Sequence, residues 1–293
     1  MKKSLIIILA ALCLCSCAES SSKSDVSSSS AAETTTTTTA ETTTTAETTT
    51  TAETTTTSEA TTTASESVNV DPAAAKTPEA EPFKAVSGEI EGGIKWNITD
   101  DGTLTVSGKG KIPKMDGGYD YWKEYKENIT SIIVSEGITE IGESAFLSCK
   151  KAVSVSIPAS VTKIDNFAFC NCESLKEVTL PDTVQVIGTG LFWRCFQLEK
   201  AVVGKGIKEL PFNTFCRCKR LHDVTLYNGT LERLGDTSFE YCEGIRELYI
   251  PESVKEFGFC IFPDDSSRIT IQSKKGSPAE AFAAKMKIKF QAI

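Results

Sequence analysis

The chain has 293 residues, 40% of them apolar and 24% charged, with a net charge of −8 at neutral pH. Residues 33–81 hold nine acidic side chains against Lys76 alone, a net −8, and residues 1–32 sum to +1, which leaves −1 for residues 82–293. A near-neutral body of that length is ample for one folded unit and carries no electrostatic footprint for nucleic acid.

The N-terminus reads MKKSLIIILAALCLCSC. Lys2 and Lys3 precede an apolar run over Ser4–Leu14, which is too short for a lasting membrane helix and suits a signal-peptide core. Leu14-Cys15-Ser16-Cys17 resembles a bacterial lipobox, with an aliphatic residue three before the cysteine and a small one just before it. That resemblance implies diacylation of Cys17, which becomes the mature N-terminus. Cys15 fits less well because bulky Leu14 precedes it. Two acyl chains suffice for stable anchoring.

Residues 18–82 follow as a stalk. The stretch ETTTTTTAETTTTAETTTTAETTTT, residues 33–57, has almost no apolar area to offset chain entropy. Its composition is that of a disordered, low-complexity spacer with threonines suited to O-glycosylation. Such a segment reaches roughly 45 Å as a flexible coil and about 200 Å if stiffened. It therefore suits lifting a domain away from a membrane.

A β-rich segment is expected over 83–127, where Asp101-Gly102 between alternating runs signals a hairpin. The rest of the chain repeats. Phe146, Phe169, Phe192, Phe215, Phe239 and Phe262 recur at steps of 23 residues, with one step of 24 absorbed in the turn-rich Tyr227–Leu231. In the clearest unit, Leu175–Gln197, the residues Leu175, Val178 and Leu180 form one face of a short strand. Pro181 ends that strand, Val184 and Ile187 turn inward again, Gly188 permits a corner, and Phe192 and Cys195 close the coil. Short helical or 3₁₀ turns are expected on the return side. One unit buries about six large side chains, on the order of 10–15 kcal/mol, which does not cover the ordering of its backbone at about 1–2 kcal/mol per residue. The units must therefore stack.

The pattern L-x-x-V-x-L-P-x-x-V-x-x-I-G-x-x-x-F-x-x-C resembles the BspA-like leucine-rich repeat. Trp96–Pro113 followed by Trp122 is similar to that family's β-rich lead-in. Gly276–Lys285 is similar to its terminal helix, with Ser277 at the N-cap, Pro278 at the first position and Glu280 completing a capping box. The implied fold is a right-handed leucine-rich-repeat coil: a β-rich repeat solenoid over 128–273, with the lead-in at one end and a capping helix and short strand over 274–293 at the other.

Two readings compete for the cysteines. C-x-C at Cys170/Cys172 and at Cys216/Cys218 suggests metal or redox chemistry. However, Cys149, Cys172, Cys195, Cys218 and Cys242 all fall at the coil-closing position, so they read as a core ladder of unbridged thiols, although rung spacing and export would permit a disulfide. The preceding slot holds Leu147, Cys170, Trp193, Cys216, Glu240 and Pro263, and this variability suggests exposure. Neither a metal nor a cofactor is expected, because zinc usually recruits four Cys or His ligands and His222 is the only histidine. His222 also lacks partners for a nucleophile–base set, and the acid pairs Asp100-Asp101 and Asp264-Asp265 read as turns. Trp193 and Phe196, with Arg194, offer an aromatic contact for a ligand or for a neighbouring turn.

The strand face presents Ser154, Ser156, Glu177, Thr179, Lys200, Val202, Asp223, Thr225, Glu247 and Tyr249 as a candidate binding face. The expected function is adhesion or interaction at a bacterial cell surface, with an extracellular protein or glycan as partner, a membrane anchor at the N-terminus and no nucleic acid. Adhesion is what the family resemblance implies. The alternatives are a scaffold for other envelope proteins and, more remotely, a glycoside or peptide hydrolase.

Overall fold

The computed structural model describes residues 82–115, 120–263 and 265–293. The leader, Cys17 and the Thr-rich stretch therefore lie outside the described residues, as does Asp264.

The chain begins with β1 (Val86–Ile90), β2 (Ile94–Ile98) and β3 (Thr103–Ser107), an antiparallel meander. The hairpin expected at Asp101-Gly102 joins β2 to β3. Asp101 Oδ1 accepts from the Thr103 N–H at 3.0 Å, and Gly102 has a φ of +83°. A Cβ on Gly102 would lie 2.1 Å from the Asn128 carbonyl oxygen, so the turn requires glycine.

Coiling starts within this lead-in. After β4 (Gly110–Ile112), β3 pairs in parallel with β5 (Ser131–Val134), and β4 with β6 (Ile138–Ile141). Each later coil repeats this two-strand plan. The front strands are β7 (Ser154–Ser156), β9 (Glu177–Thr179), β11 (Lys200–Val202), β13 (Asp223–Thr225) and β15 (Glu247–Tyr249). The back strands, two residues each, are β8 (Lys163–Ile164), β10 (Val186–Ile187), β12 (Glu209–Leu210), β14 (Arg233–Leu234) and β16 (Glu256–Phe257). Front and back strands stack in parallel with a register of one repeat, as in Glu177↔Lys200↔Asp223 and Glu209↔Arg233↔Glu256. The front continues through β17 (Thr270–Ser273) and β18 (Lys289–Ala292).

The return side follows the phenylalanine. Backbone bonds such as Cys170 N–H to Phe167 O and Cys172 N–H to Phe169 O are i→i+3 turns. They do not run on as helix because the residues two before and two after the phenylalanine are left-handed. The pairs are Ser144/Ser148, Phe167/Asn171, Gly190/Arg194, Asn213/Arg217 and Thr237/Tyr241. Among the described residues, 3₁₀ geometry is confined to Lys123–Tyr125 and Ser266–Arg268.

The core runs along the axis. Phe146, Phe169, Phe192, Phe215 and Phe239 are fully buried, with neighbouring rings 5.3–5.7 Å apart and within about 12° of parallel. Trp122 extends the stack at 5.4 Å from Phe146, its Nε1–H bonded to the Ala145 carbonyl at 2.9 Å. At the far end Phe262 continues it, and Phe282 of α1 (Pro278–Met286) closes it with a tilted ring. Ser277 caps α1 as its sequence predicts: its Oγ accepts from the Glu280 N–H, and Glu280 Oε2 accepts from the Gly276 N–H at 2.6 Å. No helix among the described residues is long and apolar enough to cross a membrane.

Candidate interaction face

Parallel stacking with a one-repeat register turns equivalent positions into rows. On the front face the inward residues, such as Val178, Ala201 and Leu248, are buried, and their neighbours point outward. One outward row reads Ser154, Glu177, Lys200, Asp223 and Glu247, all exposed. Its charges partly compensate, with Lys200 Nζ 3.6 Å from Asp223 Oδ2. The second row reads Ser156, Thr179, Val202, Thr225 and Tyr249. Ser156 and Thr179 are exposed and the other three half-buried. The ten residues read from the sequence as one face thus fall into one charged row and one uncharged row.

The face is longer than those ten positions. Register carries the uncharged row back through Ile133 and Thr105 and forward through Gln272 and Gln291. The alternation in these flanking strands is the signal that identifies them. Gln272 Nε2 donates to Glu247 Oε2 at 3.1 Å and to Gln291 Oε1 at 3.2 Å, tying the two rows together at the C-terminal end.

The aromatic positions lie elsewhere, on the return turns. Trp193 is half-buried, with its ring 6.4 Å from Phe167 of the preceding coil, and its Nε1 is buried with no hydrogen-bond partner among the described residues. Phe196 is half-buried and receives the Arg194 guanidinium over its ring at 5.4 Å. Trp193 and Phe196 are therefore not part of the strand face.

The cysteine ladder is buried throughout, and its five members are unbridged thiols. Cys172, Cys195, Cys218 and Cys242 each donate through Sγ to the carbonyl of the phenylalanine one coil back, at 3.1–3.3 Å. Burial raises Cys149 to about 12 and drives Cys172, Cys218 and Cys242 well above their ordinary 9.0. The preceding slot corrects the sequence expectation. Cys170 is 5% exposed and Cys216 1%, and burial pushes Cys170 up to about 12. Cys216 Sγ lies 3.9 Å from Glu240 Oε2 of the next coil, and the other members of the slot, Leu147, Trp193, Glu240 and Pro263, are half-buried. Such thiols are protonated at neutral pH and are poor nucleophiles and metal ligands.

His222 is exposed, one residue before β13. Among the described residues no three His, Cys, Asp or Glu side chains are placed to hold a metal ion. Asp100 and Asp101 serve the backbone: Asp100 Oδ1 accepts from the Ala85 N–H at 2.6 Å, while Asp101 fixes the hairpin.

A family model matches the repeated region. The BspA type leucine rich repeat region matches in six copies over residues 121–169 and 139–269. Residues 1–86 match the New glue protein family, a match that takes in the Thr-rich stretch. No curated protein matches the chain. Among solved structures, a leucine rich cell surface protein from Faecalibacterium prausnitzii A2-165 is similar at 25% identity and a TM-score of 0.48, covering 67% of this chain and 56% of that one. A leucine-rich repeat protein from Eubacterium ventriosum is similar at 20% identity and a TM-score of 0.35, covering 66% of this chain and 73% of that one. The leucine rich repeat protein of T. pallidum is similar at 19% identity and a TM-score of 0.37, covering 52% of this chain and 87% of that one. The chain therefore spans just over half the length of the Faecalibacterium protein. With the repeat region matched across residues 121–269, just over half of its length, the chain belongs to the BspA-type leucine-rich repeat family.

Proposed function

We propose that the chain is a non-enzymatic interaction protein of the bacterial cell surface, lipid-anchored through Cys17, whose solenoid binds an extracellular protein or glycan through its front face. The observation that carries this reading is the front face itself. Stacked strands present two aligned rows of solvated side chains, while the fold's buried thiols and aromatic rings are occupied in packing. Solenoids of stacked repeats use such extended faces for binding. The leader and the lipobox-like Leu14–Cys17 support the anchor, and the Thr-rich stretch supports a spacer between anchor and solenoid.

The test is capture of extracellular proteins and glycans by the purified full-length chain, compared with a variant carrying Thr179→Trp and Thr225→Trp on the front face. Binding lost in that variant supports adhesion. Capture of envelope components alone would assign the scaffold role instead. Turnover of a glycoside or peptide panel would overturn the non-enzymatic reading. In producing cells, radiolabelled palmitate should enter the wild type and not Cys17→Ser.

A further inference from the structure

The uncharged row of the front face has a property that its neighbours lack. Through the coils it reads Ile133, Ser156, Thr179, Val202, Thr225 and Tyr249, all exposed or half-buried. The lead-in and C-terminal strands continue it with serine, asparagine, threonine and glutamine only. No ionisable carboxylate, ammonium or guanidinium interrupts it across eleven strands, in a chain that is 24% charged. At about 4.8 Å per strand this lane is about 48 Å long.

Charge returns on both sides of the lane. One border is the row holding Glu177, Lys200, Asp223 and Glu247, and the other begins at the Asp182–Lys205 pair, whose carboxylate and ammonium are 3.0 Å apart. Between that pair and the lane, the next positions along successive coils are Pro158, Pro181, Gly204, Tyr227 and Pro251, again without charge.

We infer that this lane holds a neutral polysaccharide lying across the strands, an assignment that rests on the front face being the binding face. Charge complementarity selects the occupant. An acidic polymer seated there would lose hydration with no counter-charge in return, and the Glu177–Glu247 border, net negative, would repel it; a neutral one meets neither cost. Hydroxyls and amides in the lane both donate and accept, so they exchange hydrogen bonds one for one with sugar hydroxyls. The methyls of Ile133, Val202 and the threonines suit the apolar faces of sugar rings, and Tyr249 adds a ring for stacking. The repeat of like side chains at each strand suits a ligand that is itself periodic. An extended peptide is a poorer fit, because it draws affinity from unpaired backbone groups at a sheet edge, and the lane lies on the sheet face.

The test uses the full-length chain and affinity electrophoresis in gels containing neutral polysaccharides (mixed-linkage glucan, xyloglucan, galactomannan) or acidic ones (alginate, polygalacturonate, heparin). The expected result is retardation by at least one neutral polymer. Its affinity should change less than about twofold between about 0.05 and 0.5 M salt. Val202→Glu and Thr179→Lys should each weaken it by about tenfold or more, because each places a charge in the contact. Lys205→Gln, on the border, should leave it intact. Thermal midpoints equal to wild type confirm that the two lane variants are folded. Binding to acidic polymers alone, retardation indifferent to both lane variants, or no retardation by any neutral polymer would each overturn the inference. If no polysaccharide binds but the chain captures an extracellular protein, and Val202→Glu abolishes that capture, the front-face reading stands and only the polysaccharide falls. If the lane variants change no binding of any kind, both fall.

Discussion

Two cysteines of one coil, Cys170 and Cys172, are both buried but differ in what surrounds their sulfur. Cys172 Sγ faces the Phe146 carbonyl at 3.3 Å, whereas no hydrogen-bond acceptor is within reach of Cys170 Sγ among the described residues. A hydroxyl placed at 172 inherits an acceptor, and one placed at 170 does not. Cys170→Ser is therefore expected to cost about 1–3 kcal/mol and Cys172→Ser less, measured by thermal or denaturant unfolding. An undiminished stability for Cys170→Ser would mean that the slot is solvated after all. The thiols also set a pH limit. Six of them, at 149, 170, 172, 195, 218 and 242, are raised above 9.0 by burial in the folded chain. From about pH 9 upward the unfolded chain releases these protons and the folded chain does not. Stability should then fall with rising pH, by up to about 1.4 kcal/mol per thiol per pH unit. The fall begins at the unfolded value and ends only as the folded values, about 12 for Cys149 and Cys170, are passed. Unfolding midpoints measured across that range should drop steeply in the wild type and less so in Cys195→Ala.

At the scale of the element, the return turn stores backbone strain. Ser144 is left-handed at a φ of 59°, a conformation that costs an L-residue with a Cβ about 1–2 kcal/mol, and glycine tolerates it freely. Ser144→Gly should accordingly stabilise the protein by about 0.5–1 kcal/mol, read as a higher unfolding midpoint. Such turns were hard to read from the sequence. Gly190 alone advertised the left-handed position. Elsewhere the same place holds Ser, Phe, Asn and Thr, which carry no common signal. The back strands were equally obscure, since two residues are too few to show alternation. The front strands were legible because Leu175, Val178 and Leu180 must all reach the core, and the core dictates their spacing. The rows of the binding face followed from the same alternation, but their continuation into β3, β17 and β18 needed the register. Burial of Cys170 is not legible in the sequence because its slot mixes Leu, Trp, Glu and Pro. Chemical variety there reflects a site covered on one side, not one open to water.

For the solenoid as a whole, stability resides in contacts between neighbouring coils. Phe192 lies mid-stack, 5.7 Å from Phe169 and 5.5 Å from Phe215. Phe192→Ala should cost about 3–5 kcal/mol and break the array's cooperativity, giving two unfolding transitions by calorimetry in place of one. Phe262 sits near the end of the stack, with its ring 6.1 Å from Phe239, and its replacement by alanine should lower the midpoint less and leave one transition. The acidic N-terminal third and the near-neutral solenoid divide the molecule by composition alone, and the described residues share one hydrophobic core that runs from Ile90 to Ile288.

The cysteine–carbonyl bonds join four successive coils to the one before in the same way. Phe146, Phe169, Phe192 and Phe215 each offer a carbonyl to the next coil's thiol, from Cys172, Cys195, Cys218 and Cys242 in turn. A duplicated 23-residue segment spliced between two coils would find the partners its parent had on either side. Copy number is thus a quantity that recombination can change without redesigning any contact, and each added copy would lengthen the front face by one strand, about 4.8 Å. The reach of this surface is a matter of how many times the gene has repeated itself.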